Sequence, residues 1–124
     1  VTELGVAGLL IPEQHGGLGL SYDAMLVLLE ECAASLYSGP VLSSTVLVPS
    51  AVLASGDAAA AARYLPAIAD GSTVASLAIE DAPGRAVTAL SEGDGGVLNG
   101  CQTGVADAAS ADMLVVVARL PGRS

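Results

Sequence analysis

GLLIPEQHGGLGLSYDAM, residues 8–25, places Gly16, Gly17 and Gly19 just ahead of an apolar run, and the role of those glycines decides how the first part of the chain is read. A dinucleotide-binding loop needs glycine at the first, third and sixth positions of its motif, after a strand and inside a βαβ unit. Gly17 and Gly19 are followed by Tyr22, and no such unit surrounds them. The phosphate-cradle reading fails on spacing. The glycines instead predict a positive-φ turn that steers the chain into a helix.

Upstream, Leu4, Val6, Leu9, Leu10 and Ile11 form a short apolar segment that ends at Pro12, which cannot continue a hydrogen-bonded ladder. Downstream, Ser21 stands where an N-cap belongs and Asp23 lies in the first turn, where a carboxylate suits the positive end of the helix dipole. A helix is predicted over 22–36. Its apolar residues, among them Met25, Val27, Leu28, Cys32 and Leu36, wrap most of the circumference, so it is expected to be largely buried.

After Gly39-Pro40 a second helical run covers 44–55, with Pro49 marking a kink or a later start and Gly56 as its left-handed C-cap. Asp57 caps AAAAARYLPAIA, where Pro66 is expected to divide two helical pieces, and Asp70-Gly71 ends the helical half. From Ser72 the pattern turns strand-like, through TVASLAIE, AVTAL, VLNG and MLVVVARL. EGDGG, residues 92–96, has the composition of a hairpin turn. The predicted class is α+β, a helical domain over 1–71 followed by an antiparallel β domain over 72–124. Val1 is not an initiating methionine and Pro121 follows the strongest strand at once, so the chain reads as a fragment cut at both ends.

Composition narrows the functions. The 124 residues are 52% hydrophobic, enough to build a core, yet Trp and Phe are absent and three tyrosines supply every ring. Thirteen acidic residues against four basic ones give a net charge of -9, which repels a phosphate backbone and excludes nucleic acid as a partner. All four basic residues are arginines, so no lysine is present for a Schiff base or a Walker-type loop. Cys32 and Cys101 stand far apart without a CxxC motif and read as reduced thiols in a cytoplasmic protein. His15 is the single histidine, and no metal site is expected. The uncharged run 32–56 exceeds the roughly 20 residues that span a bilayer, but Gly39-Pro40, Pro49 and its serines demand partners that lipid cannot offer, so no membrane span is predicted.

Individual polar residues have plain structural readings. His15 belongs to a surface turn, Glu30 and Glu31 to a solvated helix end, Cys101 to filler, and Asp107 and Asp112 to capping and turn roles.

Three stretches nevertheless carry a resemblance. LGVAGLLIPEQHGGLGLSYDAMLVLLEE, ARYLPAIADGSTVASLAIE and VLNGCQTGVADAASADMLVVVARL are similar, in this order, to the N-terminal helical domain, the lead into the β domain, and a β-domain hairpin of the acyl-CoA dehydrogenase family. The resemblance implies a flavoprotein with an N-terminal helical domain, an antiparallel β-barrel-type middle domain and a C-terminal helical domain, assembled as an oligomer of like or unlike subunits. It implies α,β-dehydrogenation of an acyl-CoA thioester: a glutamate removes the α-proton and hydride passes to FAD, which an electron-transfer acceptor reoxidises. That glutamate belongs to the C-terminal domain in most subfamilies, so no catalytic residue is assigned here.

By the same resemblance, the flavin would lie against Ala78, Ile79 and Glu80 after the first strand and against Gly104, Val105 and Ala106 in the second loop. Both loops depart from the family pattern. AIEDAPGR replaces a "TEPxxGSD" loop, and Gly104 and Ala106 stand where an aromatic residue and a Thr or Ser are usual, with Gln102 and Asp107 in place of Lys and Asn. The missing side chains remove several interactions of about 1 kcal/mol each. Glu80 and Asp81 add negative charge beside a flavin that becomes anionic on reduction. Main-chain amides do not depend on these side chains. Two functions follow: an FAD-dependent subunit acting on a lipid, branched or sterol-type acyl thioester, or a subunit that has lost flavin and supports a catalytic partner.

Overall fold

The computed structural model describes residues 5–79 and 86–122. The opening apolar segment forms a 3₁₀ turn at Val6–Gly8, and a second one follows at Glu13–His15. Between them and the first helix the glycine stretch folds back on itself. Leu18 N–H donates to the Gly8 carbonyl at 2.9 Å, Gly19 to Ile11 at 2.8 Å and Leu20 to Leu9 at 2.9 Å. Gly16 and Gly19 take φ of 84° and 59°, as the turn requires. Gly17 is held for another reason: a Cβ there would lie 2.0 Å from the Ile11 carbonyl oxygen.

Helix α1 spans Tyr22–Ala34, with Ser21 at the N-cap in an extended conformation but without a side-chain capping bond. The expectation that it is largely buried is corrected. Met25 alone is fully buried, while Leu26 and Val27 are exposed, because only one narrow stripe of the helix finds a partner among the described residues. The chain then winds through a π-helical turn at Val41–Leu47 into α2, Val48–Ala54. Pro49 sits in the first turn of α2, where its missing N–H costs nothing. Thus 32–56 is the end of one helix, a break and two short helical segments. Among the described residues no helix is long and apolar enough to cross a membrane.

Helix α3 spans Ala58–Ala69, and the Asp57 side chain accepts from Ala60 N–H at 3.0 Å as predicted. Pro66 does not divide it. Ala62 and Pro66 both lie on the exposed face, so water can reach the carbonyl that Pro66 leaves without a donor. The opposite face buries Ala61, Leu65, Ile68 and Ala69 at helical spacing. At its end the Ser72 hydroxyl and amide hold the Asp70 carboxyl below its usual value. That contribution is present at neutral pH and is lost as pH falls through the depressed value.

Five strands follow: β1 Ala75–Ala78, β2 Val87–Glu92, β3 Gly95–Asn99, β4 Met113–Val116 and β5 Ala118–Arg119. The α+β class stands, but the ladders are not all antiparallel. β2 and β3 form the predicted antiparallel hairpin, Glu92 facing Gly95 across the Gly93-Asp94 turn, where Gly93 has φ 59°. β1 pairs parallel with β4 and β2 parallel with β5. The reason lies in the return path: Asp112 N–H donates to the Val74 carbonyl at 2.8 Å, so the chain re-enters the sheet at the start of β1 and retraces its direction. With only Val117 between them, β4 and β5 carry one stretch of chain from the first sheet to the second, and Val117 N–H donates to the Ala78 carbonyl at that corner.

One core joins both halves. Ile11, Val48, Val52, Ala61, Leu65, Ile68, Ala69 and Ala75 cluster together, with Leu77, Met113 and Val115 packed against them. As the missing Phe and Trp imply, aliphatic side chains and alanine fill it.

Candidate functional site

The end of β1 and the loop 100–107 come together. Gly100 opens the loop at φ 149°, and a Cβ there would sit 2.9 Å from Val87 Cα, so only glycine lets the chain cross β2 so closely. Past this crossing, Gln102 Nε2 donates to the Ile79 carbonyl, and Ser76 Oγ donates to the Ala106 carbonyl. These two bonds seat the second loop on the first strand.

Between them lies an open cleft of about 420 Å³, walled by Ala78, Val87, Leu98, Val105, Leu114 and Val116. Ala78 is buried in its wall and Val105 half-buried, while Ile79, Gly104 and Ala106 are exposed and adjoin these wall residues in sequence without lining the cleft. Glu80, the sixth site residue expected from the sequence, and Asp81 lie outside the described residues. The described wall is mostly apolar, with the Gln102 amide as its one polar side chain, and carries no charged group.

For a flavin, the side chains offer little: Ala78, Gly104, Val105 and Ala106 have neither a polar donor nor a ring. The main chain offers more. Among the described residues the amides of Gly104, Val105 and Ala106 have no acceptor, and Gly104, at φ 67°, turns the loop without a side chain in the way. The residues present therefore suit a planar, hydrogen-bond-accepting ring held by main-chain donors against a mostly apolar wall.

Sequence reasoning missed the hydroxyls that brace this loop. Ser43, Ser44 and Thr45 of the π-helical turn and Ser76 of β1 are all buried. Ser43 Oγ donates to Asp107 Oδ2 at 2.7 Å, and Ser44 Oγ accepts from Ala75 N–H at 3.1 Å. The available signal was SST inside an apolar run, since buried hydroxyls require partners. Asp112 does have its expected turn role, accepting from Val74 N–H at 2.9 Å. Glu30 and Glu31 are exposed, and Cys32 and Cys101 are free thiols. Replacing Ser76 by alanine should lower stability by about 1–2 kcal/mol, the worth of one buried hydrogen bond, measured by urea unfolding.

Comparisons with known proteins bear on the family and the fold. Residues 1–72 match the family description "Acyl-CoA dehydrogenase, N-terminal domain". A (2S)-methylsuccinyl-CoA dehydrogenase of Cereibacter sphaeroides is 29% identical over 126 residues, covering 96% of this chain and 23% of that protein. Among solved structures, a steroid ACAD with the paired designation Tcur3481-Tcur3483 superposes with a TM-score of 0.77 at 32% identity, over 97% of this chain and 34% of its own. A structure from work on the electron transferring flavoprotein of Acidaminococcus fermentans gives 0.78 at 26% identity, over 94% of this chain and 33% of its own. The chain thus spans between 23% and 34% of the length of these relatives. With more than half of its residues matched by the family description and its fold shared with these structures, the chain belongs to the acyl-CoA dehydrogenase family.

Proposed function

We infer that the chain is the helical domain, 1–71, and the start of the β domain, 72–124, of a subunit that dehydrogenates an acyl-CoA thioester with FAD. The observation that carries this reading is the seating of loop 100–107 on β1, where three consecutive amides have no acceptor among the described residues, beside a mostly apolar cleft. When bound, FAD supplies the two-electron acceptor for α,β-dehydrogenation. In this reading Gly104, Val105 and Ala106 offer main-chain donors to the ring, Ile79 extends that edge, and Ala78 and Val105 exclude water from one face. An acyl-CoA substrate, an electron-transfer acceptor and a second subunit of the same family are the partners, in keeping with the names of the similar proteins.

A second reading has its own support. Gly104 and Ala106 bring no side-chain donor and no aromatic cover, which suits a subunit that supports a catalytic partner without holding flavin itself. The paired designation of the similar steroid ACAD favours testing for an unequal partner. The full-length protein, purified alone and then with the product of the adjacent gene, separates the two. Flavin absorption bands in the lone chain are expected. Bands that appear only with the partner would overturn the first reading in favour of the second.

A further inference from the structure

We propose that Asp107 is a positioning residue, pinned by the buried Ser43 hydroxyl so that the π-helical turn of the helical half fixes the loop carrying Gly104, Val105 and Ala106. The two residues are 64 positions apart in sequence, yet Ser43 Oγ donates to Asp107 Oδ2 at 2.7 Å. Ser43 is 1% exposed, so its hydroxyl has been withdrawn from water and depends on a protein acceptor.

Asp107 is also unusual in its backbone. Among the described residues only Leu36 and Asp107 are non-glycine residues at positive φ, and Asp107 takes 57°. A left-handed residue persists where its surroundings hold it, and such residues gather at functional sites. Two contacts hold this one: the Ser43 bond on its side chain, and the Ser110 amide and hydroxyl on its carbonyl, both at 3.1 Å. Next to it, the Ala106 carbonyl is tied to Ser76 Oγ.

The Ser43 end is equally fixed. Ser43 lies in the π-helical turn Val41–Leu47, a backbone form often found at functional sites. Its neighbour Ser44 accepts from Ala75 N–H at 3.1 Å, anchoring that turn to β1. The strut therefore closes a ring from the turn, through β1 and Ser76, to the loop and back through Asp107. A carboxylate acceptor gives this bond more strength than a neutral one would. Its purpose is to present the 104–106 amides in one arrangement before any ligand arrives, which lowers the ordering cost of binding.

The strut itself is independent of the flavin reading; only its consequence for flavin affinity rests on it. Hydrogen exchange should be measured on the full-length protein and on Ser43→Ala, Asp107→Ala and Asp107→Asn. The reporter is the peptide 105–112, which holds the bonded amides of Ala108, Ser110 and Asp112. Ser43→Ala and Asp107→Ala should each speed its exchange about tenfold or more, the factor for a hydrogen bond to a charged group, while α3 is unchanged. Asp107→Asn keeps an oxygen acceptor and tolerates positive φ, so it should stay within about threefold of the parent. In the same variants FAD should dissociate more readily by a similar factor, with Asp107→Asn rescued. Faster exchange in a protein whose parent binds no FAD supports the strut and removes the flavin reading alone. Unchanged exchange in Asp107→Ala overturns the strut, and so does a loss of protection in Asp107→Asn equal to that in Asp107→Ala. Asp107 is exposed, so its replacement empties no core site if Ser43→Ala fails to fold.

Discussion

Gly17→Ala should be among the most damaging single-methyl additions in this chain, costing about 3 kcal/mol, the upper end for overpacking. The new Cβ would meet the Ile11 carbonyl oxygen at 2.0 Å, the Ile11 carbonyl carbon at 2.5 Å and the Gly8 carbonyl oxygen at 2.6 Å. All three are backbone atoms, so no side chain can swing aside. Those carbonyls are also the acceptors for Leu18 and Gly19, so relieving the clash breaks the bonds that form the turn. Ile11 is fully buried in the central core, and moving its backbone disturbs that packing. Gly16→Ala separates this steric effect from a conformational one. Gly16 has φ 84° but nothing near its would-be Cβ, so the cost should be only that of a left-handed alanine, about 1–2 kcal/mol. Urea unfolding of both variants measures the difference, and a Gly17→Ala loss no greater than that of Gly16→Ala would show that the close contacts at Gly17 are not what makes it necessary.

The same turn shows what was legible in the sequence. Glycine at 16, 17 and 19, the Asp57 cap, the hairpin around Gly93 and the valine-rich strands are local signals, and each element formed where its residues favour it. Ladder direction was not legible, because β1 meets β4 across 34 intervening residues and no local feature of either strand encodes parallel pairing. The burial of α1 was misread for a related reason: apolar residues around a helix report that partners are needed, not which segment supplies them. Pro66 misled because its cost depends on whether water reaches the Ala62 carbonyl, a matter of packing. At the candidate site, family resemblance pointed to two segments that the structure bonds together through Gln102–Ile79 and Ser76–Ala106. The serines that fasten them were illegible, since a hydroxyl in an apolar run declares a need for a partner and only the fold identifies it.

Leu65→Ala should cost about 4 kcal/mol, toward the upper end for burying a cavity in place of leucine. Its side chain is fully buried among Ile11, Val48, Val52 and Ile68, with Ala61, Ala69 and Ala75 completing the cluster. The alanines decide the magnitude. A cavity is cheap when neighbours can change rotamer and fill it, but an alanine has no rotamer to change, and the rigid turn at Ile11 cannot move inward. The void should persist, and its lining loses contacts outright. Leu26→Ala removes the same carbons from α1, where the residue is 63% exposed, and should change stability by about 0.5 kcal/mol or less. The core effect also reaches the cleft, because Ala75 begins β1 and Leu77 packs against the same cluster. Hydrogen exchange in β1 should therefore accelerate in Leu65→Ala and stay unchanged in Leu26→Ala. Similar unfolding midpoints for the two variants would mean that the aliphatic cluster is not what holds the helical half to the sheet.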